Sequence, residues 1–156
     1  VQTEDFDVSR ELAVLRAGRP NVGAVACFVG TVRDANDGAD VATMTLEHYP
    51  GMTERALEAI VAEARGRWDL DGVTVIHRVG ELRPQDQIVL VAVTSAHRGE
   101  AFAACEFVMD WLKTQAPFWK KESTPAGTRW VDARASDDAA AARWSRAPEA
   151  PPRGAR

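Results

Sequence analysis

The sequence predicts a single α+β domain, and three observations carry that prediction. Its 156 residues are 46% hydrophobic and 27% charged, the balance of a folded domain with enough chain to bury a core. Apolar residues recur at helical spacing in some windows and alternate or run on in others. The two kinds of segment follow no regular strand–helix–strand rhythm, which disfavours a doubly wound parallel sheet.

Taken in order, Asp7 to Ala17 puts Val8, Leu12 and Leu15 on one helical face, and Gly18 and Pro20 end it. Val22 to Val32 is nearly continuous in apolar and small residues and reads as a buried strand. The stretch RDANDGAD that follows is a polar loop of turn formers. Val41 to His48 alternates, predicting a strand with one wet face, and Pro50 and Gly51 break it. Met52 to Trp68 carries Leu57, Ile60, Val61 and Ala64 as a helical stripe. Val73 to Val79 is a strand, Glu81 to Gln87 a charged turn, and Ile88 to Val93 the most apolar strand. Glu100 to Thr114 repeats apolar residues at helical spacing until Pro117 stops it. Lys120 to Ser123 and Thr128 to Asp132 read as two short strands. From Ala135 the composition turns to Ala, Pro and Arg, so the domain is drawn as 1–136 and a tail as 137–156, with a helical turn around Trp144.

Bulk properties exclude several function classes. A net charge of -4 argues against nucleic-acid binding, so any anion site must be a local concentration of positive charge. The acidic, polar start VQTEDFDVSR reads as neither a signal nor a transit peptide, and no apolar run approaches a membrane span; the expectation is a cytoplasmic protein. Cys27 and Cys105 are too few for a disulfide framework and read as buried small hydrophobes. His48, His77 and His97 lack the close spacing of a metal motif, so no metal or cofactor is expected.

Lysine usage is the sharpest local signal. Every lysine of the chain (Lys113, Lys120 and Lys121) lies in the stretch LKTQAPFWKKE, Leu112 to Glu122, while every other basic residue is arginine. Guanidinium is a permanently charged fork, whereas an amine can lose its proton when desolvated and then act as base or nucleophile. A solvated basic patch at a helix end is the blander alternative. Two further basic groups stand out by placement: Arg33 directly follows a strand, and His97 and Arg98 sit at a strand-to-helix junction, where free backbone N–H groups favour an anion. An ion pair between Arg98 and Glu100 would explain that arginine without function. If all six groups line one pocket, the helix between them, roughly 20 Å long, makes one subunit awkward and a dimer suitable. Phe118 and Trp119 would then offer a flat wall to a phosphate-bearing heterocycle.

TLEHYPGM, TVIHRVGEL, VTSAHR, LKTQAPFWKKE and RWVDAR, in this order, resemble the large, catalytic subunits of molybdopterin synthases, from about Val22 to about Ser136. The resemblance implies an α/β-hammerhead with an additional small antiparallel sheet, and a homodimer within a heterotetramer. The partner would be a small ubiquitin-like sulfur carrier whose C-terminal Gly-Gly bears a thiocarboxylate. The implied reaction moves two sulfurs onto cyclic pyranopterin monophosphate (precursor Z), giving molybdopterin without metal or ATP. By motif, Lys113 and Lys120 match the essential lysines. Thr31, Val32 and Arg33 of GTVR, with His97 and Arg98, match substrate contacts; Lys121 and Glu122 flank the pocket, and Arg134 would come from the dimer mate. The chain departs from the pattern at the HRGE stretch, at Gln115, and in the loop Asp34 to Asp40. The residues also admit a Schiff-base lysine enzyme acting on a phosphorylated carbonyl compound, and a docking module for a ubiquitin-like protein.

Overall fold

The computed structural model describes residues 1–132 and 134–145. In chain order these form α1 (Val8–Arg16), β1 (Ala24–Thr31), β2 (Ala35–Asn36), β3 (Ala39–Asp40), β4 (Thr43–His48), α2 (Met52–Arg67), β5 (Gly72–His77), β6 (Gly80–Leu82), β7 (Gln87–Ser95), α3 (Arg98–Thr114), β8 (Phe118–Thr124), β9 (Gly127–Val131) and α4 (Ala135–Ala142), with a 3-10 turn at Arg143–Ser145.

The most apolar segment becomes the centre. β7 pairs antiparallel with β1 on one side and β5 on the other, and Val89 to Ser95 are buried. Alternation along the strand divides its side chains between two faces. Val89, Val91 and Val93 pack with Leu57, Ile60 and Ala64 of α2 and with Ala101, Ala104, Cys105, Val108, Met109 and Leu112 of α3. Leu90 and Ala92 pack on the opposite face with Phe6 and Leu15, under α1. Ala101, Cys105, Val108, Met109 and Leu112 hold the helical stripe that the sequence predicts, whereas Phe102, expected in the same stripe, is exposed.

A second antiparallel sheet, in the order β6-β4-β8-β9, flanks the first. Its inner face buries Met44, Leu46 and Leu82 with Val32. Glu47 of β4 is exposed, as the alternating pattern requires. The mixed α+β expectation is met: helices cover an antiparallel sheet, and a smaller sheet stands beside it.

Four local readings change. β1 is an edge strand and its burial is incomplete: Val25 and Phe28 are exposed, and so is Cys27. Cys27 shares its face with Val29, but α1 packs mainly on β5 and β7, away from the edge. Cys105 is buried as expected, and burial pushes its thiol up to about 11. The loop after Arg33 folds into the β2–β3 hairpin, whose two turn residues, Asp37 and Gly38, both take positive φ (51° and 77°). The charged turn after Val79 begins with β6, which pairs with β4.

The fourth change is at the C-terminal end. Residues read as tail from Ala135 onward form α4 and the 3-10 turn up to Ser145; the rest of that tail lies outside the described residues. Trp144 meets Trp68 and Phe107 edge-on, at centroid distances of 5.8 and 5.5 Å. Its Nε1 donates to Asp110 Oδ2 over 2.6 Å, and Arg67 donates to its carbonyl over 2.9 Å. One aromatic anchor thus ties α4 to α3 and α2.

Candidate active site

The lysine-rich stretch changes direction twice, and that determines which lysines meet. α3 ends at Thr114, with Lys113 in its last turn. Thr53, fully buried, donates its hydroxyl to the Pro117 carbonyl (3.1 Å) and accepts from the Tyr49 amide (3.0 Å), fixing the turn into β8. Along β8 the side chains alternate. Phe118, Lys120 and Glu122 face a cleft of about 550 Å³, within the size range of small-molecule sites. Trp119 is exposed, and Lys121 lies 5.3 Å from the Trp130 ring on β9.

Lys113 enters the same cleft from α3, Thr31, Val32 and Arg33 from the end of β1, and Arg134 and Asp137 from the start of α4. His77 also lines it, stacked on Phe118 at 3.8 Å. In its neutral form His77 donates from Nδ1 to the Arg78 carbonyl (2.9 Å). Burial lowers its pKa from 6.5 to about 4, and the neighbouring Lys113 charge adds to the shift.

Lys113 titrates below an ordinary lysine. Loss of solvent around the ammonium is the main cause, followed by the like charge of Lys120; Asp137 opposes the shift, while Arg134 and Arg33 add to it. The residue keeps an exposed surface toward the cleft, so water screens part of this effect.

The cleft floor is a hydrogen-bonded network centred on two buried residues. Glu122 is 3% exposed and lies 3.4 Å from Lys120 Nζ and 3.2 Å from an Arg129 guanidinium nitrogen. Asn36, 5% exposed, donates from Nδ2 to Glu122 Oε1 over 2.8 Å. Its Oδ1 accepts from Arg134 (2.7 Å) and Arg33 (3.3 Å), and its backbone carbonyl accepts from Arg129 (3.0 Å).

Seven of the expected site residues therefore share one cleft: Thr31, Val32, Arg33, Lys113, Lys120, Glu122 and Arg134. Three do not. Lys121 is turned away by strand alternation, and Trp119 is turned away with it, so of the two expected aromatics only Phe118 lines the cleft. His97 and Arg98 are exposed at the opposite end of α3, roughly 23 Å along the axis from Lys113. Glu100 there accepts from Ser95 Oγ (3.1 Å) rather than pairing with Arg98. Arg134, expected from a dimer mate, reaches the cleft of its own chain.

Sequence reasoning missed Asn36, His77 and Arg129. Asn36 lies in a loop that reads as variable, and its partners Glu122 and Arg134 are 86 and 98 positions away. No local pattern carries such a contact.

The family model described as MoaE protein matches residues 1–115, about three quarters of the chain. The chain belongs to the MoaE family. A relative from Ralstonia nicotianae, named molybdopterin synthase catalytic subunit, is 69% identical over 92% of this chain and 82% of its own length. Among solved structures, a molybdopterin biosynthesis MoaE protein from Burkholderia ambifaria is similar with a TM-score of 0.78 and 65% identity, over 92% of this chain and 95% of that one. A molybdopterin synthase from Staphylococcus aureus is similar with a TM-score of 0.76 at 30% identity, over 83% of this chain and 93% of that one. The MoaE fold thus persists while most side chains change. The family match ends at residue 115, so β8, β9 and α4, and with them Lys120, Glu122 and Arg134, lie beyond it.

Proposed function

We propose that this chain is the catalytic subunit of a molybdopterin synthase and a sulfurtransferase within it. A small ubiquitin-like carrier presents a C-terminal Gly-Gly thiocarboxylate to the cleft, and precursor Z is the acceptor. In each of two rounds the carrier's carbon–sulfur bond breaks, water supplies the replacing oxygen, and the sulfur takes the place of an oxygen on a pterin side-chain carbon; one displaced oxygen leaves as water and the other stays on the phosphate. The cyclic phosphate opens as the dithiolene is completed.

The observation that carries this reading is the meeting of Lys113 and Lys120 in one cleft beside Arg33. Sulfur transfer needs protons moved at the reacting atoms, and an amine held below its ordinary pKa can take and return them. Arginine stays charged and suits the phosphate, which its planar fork can grip through two N–H donors. The division of Lys and Arg in the sequence thus follows the division between chemistry and binding.

His97 and Arg98 fit the same reaction through a homodimer, in which the exposed N-terminal end of α3 in one subunit faces the lysine cleft of the other. The deciding experiment combines the purified chain with thiocarboxylated carrier and precursor Z and measures molybdopterin. Product from wild type, absent without thiocarboxylate, is expected. Binding of carrier with no product would instead leave a docking module, and borohydride trapping of a lysine adduct would favour the Schiff-base alternative.

A further inference from the structure

We propose that Asn36 is a positioning residue, a neutral hub that aims Arg33 and Arg134 at the anionic group of the substrate. The inference deepens the functional reading above and rests on it for the identity of that anion.

The geometry leaves few residue types able to fill this position. Asn36 must donate to a buried carboxylate on one side and accept from two guanidinium groups on the other. A side-chain amide does both at once; a carboxylate cannot donate, and a hydroxyl cannot span the two sides. The amide also carries no net charge. Two arginines that share a neutral oxygen keep their full positive charge and most of their N–H donors for a ligand. A carboxylate at the same place would hold the forks but cancel part of that charge, and would face Glu122 across 2.8 Å.

The hub is itself rigidly placed. It precedes the positive-φ pair Asp37 and Gly38 of the hairpin, and Arg129 grips its backbone carbonyl. Glu122 does not depend on it alone, because Lys120 and Arg129 remain within ion-pair distance. Loss of the Asn36 side chain therefore frees the arginines more than the lysine. Arg134 also lies 3.6 Å from Asp37, but that aspartate is 64% exposed and its pull is screened by water.

The test uses Asn36→Ala and Asn36→Asp in the full chain, with two readouts. Calorimetric binding of inorganic phosphate at low salt requires neither carrier nor pterin. The affinity is expected to fall about tenfold or more in both variants. In the complete sulfur-transfer assay, KM for precursor Z should rise by a similar factor while kcat stays within about threefold. Adding Arg134→Ala to Asn36→Ala should cost little beyond either change alone, since one acts through the other. A purely structural asparagine would lower the melting temperature and leave phosphate affinity and KM unchanged in whichever variant folds; that result overturns the proposal. So does a wild-type chain that binds no phosphate, or full additivity with Arg134→Ala. Failure of the functional reading looks different: wild type would bind phosphate through the hub yet form no molybdopterin.

Discussion

The two ends of α3 carry positive charge in contrasting ways. At its C-terminal end, Lys113 stands in a cleft with Lys120, Arg33 and Arg134, beside a carboxylate that is nearly sealed from water. At its N-terminal end, His97 and Arg98 lie open to solvent, without a partner cluster among the described residues. Crowding and burial at the first end press on protonation states, as the lowered values of Lys113 and His77 record. The second end has only charge and a helix N-terminus to offer. Under the proposed function, proton transfer is therefore assigned to the lysine end, where burial and like charge act on an amine, and substrate binding to the other.

The largest effect should come from breaking the lysine end. Lys113→Ala is expected to cut molybdopterin formation by roughly a hundredfold or more, the scale of a lost proton-transfer group, with fold and carrier binding kept. Lys113→Arg should be nearly as poor, because charge is retained without a titratable amine. Full activity in that variant would falsify the proton-transfer role. The wild-type rate should also rise with pH earlier than an ordinary lysine would allow, since the shift of Lys113 is downward.

The pH dependence of stability probes the same end. His77 has a folded pKa of about 4 against 6.5 for the free side chain, so the unfolded chain binds more protons between these values. Stability is then full above about pH 6.5 and declines as pH falls toward 4, by about 3 kcal/mol. His77→Phe should flatten that limb in urea titrations at successive pH values. An unchanged slope would show that the imidazole is not held neutral by its burial.

Smaller effects separate binding from chemistry. Arg33→Ala and Arg98→Ala should each weaken precursor binding by about 1.5–3 kcal/mol, the worth of a hydrogen bond to a charged group, with carrier affinity little changed. Calorimetry that found the reverse would reassign these arginines to the carrier. The smallest signal is the one that joins the two ends. Mixing Arg98→Ala, at a precursor concentration low enough to leave it inactive, with inactive Lys113→Ala should restore roughly a quarter of wild-type activity if subunits exchange, because mixed dimers hold one intact site. Confirmed exchange without recovery would confine the working site to one subunit, and would remove His97 and Arg98 from it.

Much of this was legible in the sequence for physical reasons. Periodicity reports which face of an element is buried, so α2, α3, β4 and β7 could be read from apolar spacing alone. The concentration of lysine in one stretch pointed to the cleft that Lys113 and Lys120 line. What spacing could not report was company. Whether β1 is central or at an edge depends on which strands pair with it, and that decided the exposure of Cys27. Trp144 looked like part of a tail until Trp68 and Phe107 met it. Lys121 and Lys120 are adjacent and chemically identical, yet strand alternation sends one to the cleft and the other to the Trp130 ring. Asn36 gains its role from Glu122 and Arg134, far along the chain, which only folding brings within 3 Å. Local sequence fixes which elements form because their forces act between neighbours a few residues apart; the network around Asn36, apart from its bond to Arg33 three residues away, is made of long-range contacts, and those exist only in the tertiary structure.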